Sequence, residues 1–196
     1  MSMKFTQIPA NTFEELQLNA GILLSEFNPA SGEMNREAML GATSGGVSFT
    51  DIPEYEDFGE DIDNAPRQVK ELKRIVGRSI TMSGTYLTLD TALAKSLAAA
   101  ADVDNADTTK ITPRDTLKDE DFKDIWWVGD YSDKNGRSGG GYIAIKLENA
   151  LNTGGFSLKS GDRAKGQFAF SYQAHYSIDD TAKVPYEMYI KAGTEA

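Results

Sequence analysis

Apolar and polar residues alternate along several stretches of this chain, and that period of two predicts strands. In Arg78–Leu89, Ile80, Met82, Gly84 and Tyr86 alternate with Ser79, Thr81, Ser83 and Thr85, so one face is oily and the other hydroxyl-lined. In Gln167–Tyr176, Phe168, Phe170, Tyr172, Ala174 and Tyr176 point one way and Gln167, Ala169, Ser171, Gln173 and His175 the other. Tyr142–Leu147 sets Ile143, Ile145 and Leu147 on one face, and Asp124–Tyr131 precedes it. Between these last two, Ser132-Asp-Lys-Asn-Gly136 and Gly139-Gly-Gly141 supply positive φ cheaply and predict a hairpin loop. Shorter strands are expected at Ile22–Phe27, Val47–Ile52, Phe156–Lys159 and Val184–Lys191.

One helix stands out. Asp90 is a good N-cap, and the Ala-rich run Thr91–Ala101 places Leu93 and Leu97 on one face. A single turn of helix fits Leu117–Phe122. There is no internal repeat and no linker, so residues 1–196 are expected to form a single domain. Its class is mainly antiparallel β, a sandwich or barrel with one flanking helix.

Charge is placed unevenly. Asp51–Asp63 holds seven acids (Asp51, Glu54, Glu56, Asp57, Glu60, Asp61, Asp63) and no base, whereas Arg67–Arg78 holds five bases (Arg67, Lys70, Lys73, Arg74, Arg78) against Glu71. The stretch 47–77 therefore reads as a long, charge-segregated connection between strands, of a kind that often carries function. Either its two arms pair within one chain, or the acidic arm meets the basic arm of a neighbouring subunit and sets register between them.

With hydrophobic residues at 40% and charged residues at 26%, the chain is expected to fold rather than stay disordered. The net charge of −10 argues against a surface that coats nucleic acid or an anionic membrane. With no cysteine there are no disulfides or thiolate metal sites. Met1–Gln7 lacks the apolar run of a signal peptide, and no stretch approaches the ~18 apolar residues of a membrane span. The chain is expected to be soluble and made in a cytoplasm.

Little in the sequence suggests catalysis. The only histidine, His175, sits on the polar face of a strand, and no Gly-x-Ser-x-Gly elbow is present. Asp102–Asp107 begins like a calcium loop, but Ala106 stands where a ligand belongs and no Glu closes it. Gly41–Gly46 lacks the Gly-Lys-Ser/Thr ending of a phosphate loop. No cofactor and no metal are expected. Adjacent Trp126 and Trp127 must face opposite ways on a strand. One belongs to the core; the other wants a partner, either a neighbouring subunit, which is preferred, or a sugar.

Several segments together resemble the major tail proteins, or tail tube proteins, of long-tailed phages of Gram-positive bacteria. They are Gly41–Phe49, Asp57–Pro66, Lys70–Lys73, Thr81–Thr85, Ile111–Asp115, Asp121–Gly136, Gly154–Leu158, Ala174–Ser177 and Val184–Glu187. No one motif is diagnostic; their order and density over about Phe27–Lys191 carry the likeness. The resemblance implies two roughly orthogonal sheets with a flanking helix, subunits closing six to a ring, and rings stacking into a hollow tube. DNA would pass through the lumen without specific binding. The implied partners are further copies of the chain, a tape measure protein, the tail tip or baseplate and a tail terminator. The location would be a virion tail, preferably non-contractile, or a phage-tail-like bacteriocin particle. The hydroxyl face of Arg78–Leu89 would suit a wet lumen or a subunit contact, and the excess of acid would suit a lumen that repels phosphate. The expected interface comprises Glu54, Asp57, Glu60, Asp61, Asp63, Arg67, Lys70, Lys73, Arg74 and Trp126, with the segment Asp51–Arg78 joining ring to ring. The alternatives are a carbohydrate-binding β-sandwich module, using exposed aromatics and acidic loops, and a carboxylate hydrolase.

Overall fold

A computed structural model describes residues 8–9, 11–132 and 140–193. The strands are β1 (Gln17–Leu24), β2 (Thr43–Asp57), β3 (Lys73–Tyr86), β4 (Ala101–Val103), β5 (Ile111–Pro113), β6 (Lys123–Tyr131), β7 (Gly141–Asn152), β8 (Ser157–Lys159), β9 (Gln167–Gln173) and β10 (Tyr186–Lys191). Among the described residues the one α-helix, α1, spans Thr91–Leu97, and a 3-10 turn at Asp119–Asp121 falls within the helical turn expected at Leu117–Phe122. The loop expected between Ser132 and Gly141 lies, for residues 133–139, outside the described residues.

The chain is mainly β, and its strand pairings are antiparallel. One sheet runs β1-β6-β7-β10. A second runs β2-β3-β9, and β8 and the end of β7 share the far side of β9. β7 thus belongs to both sheets. Its first part pairs with β6 and β10, Asn149 takes φ 49°, and Leu151 and Asn152 then pair with Gln173 and Tyr172 of β9.

The main core lies between the sheets, drawing Leu23 from β1, Ile80, Met82 and Tyr86 from β3, Ile125 from β6, Ile145 and Leu147 from β7, and Phe170 and Tyr172 from β9. Leu93 and Leu97 of α1 close one end of it. These are the oily faces that alternation predicts. Gly84 is required here: a Cβ on it would stand 2.8 Å from Phe170 Cζ and 3.1 Å from the Gly46 carbonyl oxygen. A second, smaller cluster covers the opposite face of the first sheet, where Leu24, Ala38, Trp126 and Ala144 pack with Phe27, Tyr142 and Tyr189. Its lid is the irregular segment 25–40, held by Ser25 N–H to Ala38 O (2.8 Å) and Leu40 N–H to Leu23 O (3.0 Å).

Two departures from the expected boundaries have clear causes. The helix stops at Leu97 although Ala98–Ala101 favours helix, because Ala99 turns to φ 63° and Ala101 enters β4 fully buried. The long connection expected at 47–77 is mostly strand: β2 runs on to Asp57 and β3 begins at Lys73, leaving a loop of 58–72. The hidden strand halves are exposed on both sides, so no alternation marks them.

Polar ties hold the periphery. Asn152, 2% exposed, donates from Nδ2 to Leu97 O (2.7 Å) and Gly155 O (3.0 Å), and its Oδ1 accepts from Ser171 N–H (2.8 Å). It caps the end of α1, fixes the turn after β7 and joins β9. Arg114, beside the β4–β5 pair, donates to both oxygens of buried Asp121 (2.6 and 2.8 Å) and to Asp102 (3.1 Å). Burial pushes the Asp121 carboxyl up, but the Lys118 N–H and the Arg114 guanidinium outweigh it and hold it below the usual carboxylate value.

Asn152→Ala orphans three backbone groups and should cost on the order of 2–3 kcal/mol in denaturant unfolding. For Asp121, a folded-state pKa below the unfolded one means stability present above the unfolded value and lost as pH falls through the folded one. The stability advantage of the native chain over Asp121→Asn should therefore be full at neutral pH and shrink as the pH drops below 3.8.

Candidate assembly surface

β2 and β3 form a hairpin whose inner half belongs to the core and whose outer half leaves it. Opposed residues share a face, so Phe49 with Met82 and Asp51 with Ile80 look inward, while Thr50 with Thr81 and Ser48 with Ser83 look outward. The departure point is marked by a polar clamp. Asp51 Oδ2 accepts from the Arg78 guanidinium of β3 and from the Tyr186 hydroxyl of β10 (3.1 Å). Phe49 and Tyr186 rest ring on ring just inside it, centroids 5.3 Å apart. Burial, and then donation to Asp51, pushes the Tyr186 phenol above its usual value, so it stays protonated and donates. Asp51 Oδ1 is buried without a hydrogen-bond partner.

Beyond the clamp only Gly59 is buried. Ile52, Tyr55, Phe58, Ile62, Ile75 and Val76 are each 49–58% exposed. Six large apolar side chains on the outer strands of one hairpin and its loop exceed what scattered surface residues explain. A register shift between Glu54 and Tyr55 lets Val76 bulge, which adds twist.

The charged arms meet within the chain, but their charges stay largely unspent. Glu56 stands opposite Arg74 and Asp57 opposite Lys73 in the ladder. Arg74 nevertheless donates to the Glu71 and Lys73 carbonyls (2.7 and 3.0 Å), and Lys73 lies over the Tyr55 ring at 4.6 Å. Asp57 organises the turn instead, accepting from Gly59 N–H (3.0 Å) and Gln68 N–H (2.8 Å). Lys70 pairs only with its neighbour Glu71, at 3.5 Å and well exposed, a contact of little energetic weight. Glu54, Glu60, Asp61, Asp63 and Arg67 are exposed. Among the described residues, the one ion pair between the arms is Asp51–Arg78 at the base. The hairpin therefore gathers nine of the ten residues expected at an interface.

The tenth, Trp126, is a correction. It is 6% exposed and packs inside its own chain, edge-on to Phe27 (5.7 Å) and beside Tyr189 (5.8 Å), with Lys146 above its ring. Trp127 faces the main core, its Nε1 donating to Ala20 O (3.0 Å). The two indoles do face opposite ways, but both faces of β6 are covered, so neither is a free platform.

Sequence reasoning did not say which strands form the edges. The second sheet ends at β2 on one side and at β8 on the other, and among the described residues neither outer edge has a strand partner. Phe156 and Leu158, at the β8 margin, are about half exposed. On the outward face of this sheet Ser48, Thr50, Ser79, Thr81, Ser83, Thr85, Ala169, Ser171 and Gln173 carry no charge.

Other places offer less chemistry. His175 lies past β9, with Nδ1 3.1 Å from Asn149 O and the ring edge-on to Phe122. A cleft of about 460 Å³ opens over Ile22, Phe27 and Val128, but its Asp130 carboxylate takes the Asn19 amide (2.8 Å) and its Tyr142 hydroxyl donates to Pro29 O. Among the described residues no cluster of three His, Cys, Asp or Glu could hold a metal, and no helix is long and apolar enough to cross a membrane.

No protein-family model matches this sequence, and no curated protein matches it.

If the clamp sets how the ribbon leaves the two sheets, Tyr186→Phe should cost about 1 kcal/mol. It should also speed hydrogen exchange at the amides of residues 73–79 more than at those of 80–86, read by mass spectrometry or NMR.

Proposed function

We propose that this chain is a self-assembling structural subunit that repeats around and along a hollow tube, in the manner of the tail tube of a long-tailed phage or phage-tail-like particle. The observation that carries this reading is the pair of unpartnered edges, β2 and β8, on opposite sides of one sheet. An unpaired edge left in water invites pairing with another chain. When two different edges of one chain are complementary, copies join head to tail, and such contacts close into a ring if the rotation permits. Apolar side chains flank both margins: Phe156 and Leu158 near β8, Tyr55 and Ile75 beyond the β2 clamp. Joining them would extend the sheet and its core together.

The ribbon reaches past the body of the subunit with exposed apolar residues and unpaired charges of both signs. That suits contact with a neighbouring ring, where charge fixes register and apolar area supplies affinity. The partners are further copies of the chain, with a tape measure protein, tail tip and terminator at the ends of the tube, and DNA passing through its bore.

Negative-stain electron microscopy with light scattering, at rising concentration and with a tail-tip complex supplied, tests this. Rings or tubes are expected. A chain that stays monomeric even on the tip, and binds glycans instead, would overturn it. Reversing Glu60, Asp61 and Asp63 to Lys should block tube growth while leaving the unfolding midpoint unchanged; normal tubes from that variant would remove the hairpin from the contact.

A further inference from the structure

A bulge in β1 opens the cleft on the outer face of the first sheet. Asn19 at φ 64° and Gly21 at φ 69° swing the strand off β6 between Leu18 and Ile22. The Trp127 indole fills the core side of that gap, where a Cβ on Gly21 would stand 2.5 Å from Nε1. On the other side the second apolar cluster is left partly uncovered, with Ile22, Phe27 and Val128 as the floor and Met34 of the lid as a wall. The polar groups around it are engaged within the chain, Asp130 by the Asn19 amide and the Tyr142 hydroxyl by Pro29 O. What this space of about 460 Å³ offers a guest is therefore apolar surface.

At the other end of the same sheet stands a side chain that suits it. Ile178 is 91% exposed, and among the described residues no other large apolar side chain exceeds 63%. Its turn is braced: Ser177 accepts from Asp179 N–H at Oγ (3.2 Å) and from Asp180 N–H at its carbonyl (3.3 Å), and Asp180 O accepts from Lys183 N–H (3.3 Å). His175 and Lys183 fasten the two ends of the turn to Asn149 and Glu148, late in β7. The cleft lies beside Gly141 and Tyr142, where β7 begins. Turn and cleft are thus roughly 20 Å apart along one strand and do not meet within one copy. Among the described residues neither Asp179 nor Asp180 forms an ion pair. Lys191, beside the cleft, forms none either; its ammonium rests over the Tyr142 ring (5.8 Å) and near Ala30 O (3.4 Å).

We propose that Ile178 of one copy seats in the cleft of the next, with the Asp179–Asp180 pair against Lys191, so that opposite ends of the first sheet join head to tail. This contact rests on the reading that copies of the chain assemble with one another, and it uses neither the β2 and β8 edges nor the ribbon. A single exposed apolar residue is ordinary. Here it rides on a hydrogen-bonded turn, so little freedom is lost on seating, and the opposite charges set its orientation. Because the two surfaces differ, the contact is heterologous and repeats from copy to copy.

The chain has no cysteine, so introduced ones report the contact cleanly. Ile178→Cys is mixed with Ala20→Cys, whose position lines the cleft, and treated with a short bismaleimide, both in concentrated solution and in assemblies grown on a tail-tip complex. This mixture should cross-link into a heterodimer roughly tenfold faster than Asp119→Cys mixed with Ala20→Cys, because only the first pair is held close. Equal rates overturn the contact, and so does a dimer of Ile178→Cys alone formed as fast, which would set turn against turn. Lys191→Glu should slow the cross-link and Asp179→Lys/Asp180→Lys in the partner should restore it; an unchanged rate in Lys191→Glu overturns the charge pairing. On so exposed a side chain, Ile178→Asp should keep the unfolding midpoint yet weaken assembly about tenfold by light scattering. Normal assembly of Ile178→Asp removes this contact and leaves the tube reading in place, whereas a native chain that joins no copy in either setting overturns both. Shielding of Ala20→Cys from maleimide by the tail-tip complex alone gives the cleft to another protein and overturns the proposal.

Discussion

At the point where β7 leaves one sheet for the other, a single buried amide holds three elements in place. Asn152 ties the last carbonyl of α1, the turn before β8 and the backbone of β9, and all its bonds are made away from water. A buried amide satisfied in this way tolerates one arrangement only, since any slip of a strand orphans several groups at once. From it follow the pairing of Leu151 with Gln173, the seating of Leu93 and Leu97 on the core, and the outward aim of every second residue on β9 and β3. The uncharged face and the two open edges inherit their positions from that junction.

The ribbon of β2 and β3 obeys a different economy. A two-stranded hairpin alone in water is marginal. This one is anchored at its base by Phe49, Tyr186 and the Asp51–Arg78 clamp, and it receives no packing beyond them. Its outer half is held by ladder bonds, by Asp57 bracing the turn and by Lys73 over Tyr55. Such a segment opens locally at low cost, and much of the energy that would rigidify it has to come from outside the chain. That is why its exposed apolar residues and uncompensated charges bear on assembly more than on folding.

Where residues are buried on one side only, alternation made the strands legible: Ile80, Met82 and Tyr86, or Phe168, Phe170 and Tyr172, were readable as core from spacing alone. The Asp90 cap was equally plain, and its side chain does accept from Leu93 N–H. The rest lacked a local signal. The outer half of the hairpin is wet on both faces, so periodicity vanishes where the strand continues. Trp126 was misplaced because an irregular segment, 25–40, folds over the far face of β6, and nothing in its spacing announces a second cluster. The tie of Arg114 to Asp121 joins loop residues whose meeting depends on tertiary placement. The open edges are a property of topology, which no residue spells out.

The two sides of β3 live under different evolutionary rules. At Ser79, Thr81, Ser83 and Thr85, any small uncharged side chain keeps the face as it is, so drift among Ser, Thr and Asn is nearly free. At Ile80, Met82, Gly84 and Tyr86, shape is fixed by contact, and Gly84 least of all can change, with the Phe170 ring where its Cβ would go. A lineage descending from this chain would thus record its history on one face of a strand and erase it on the other, residue by alternate residue.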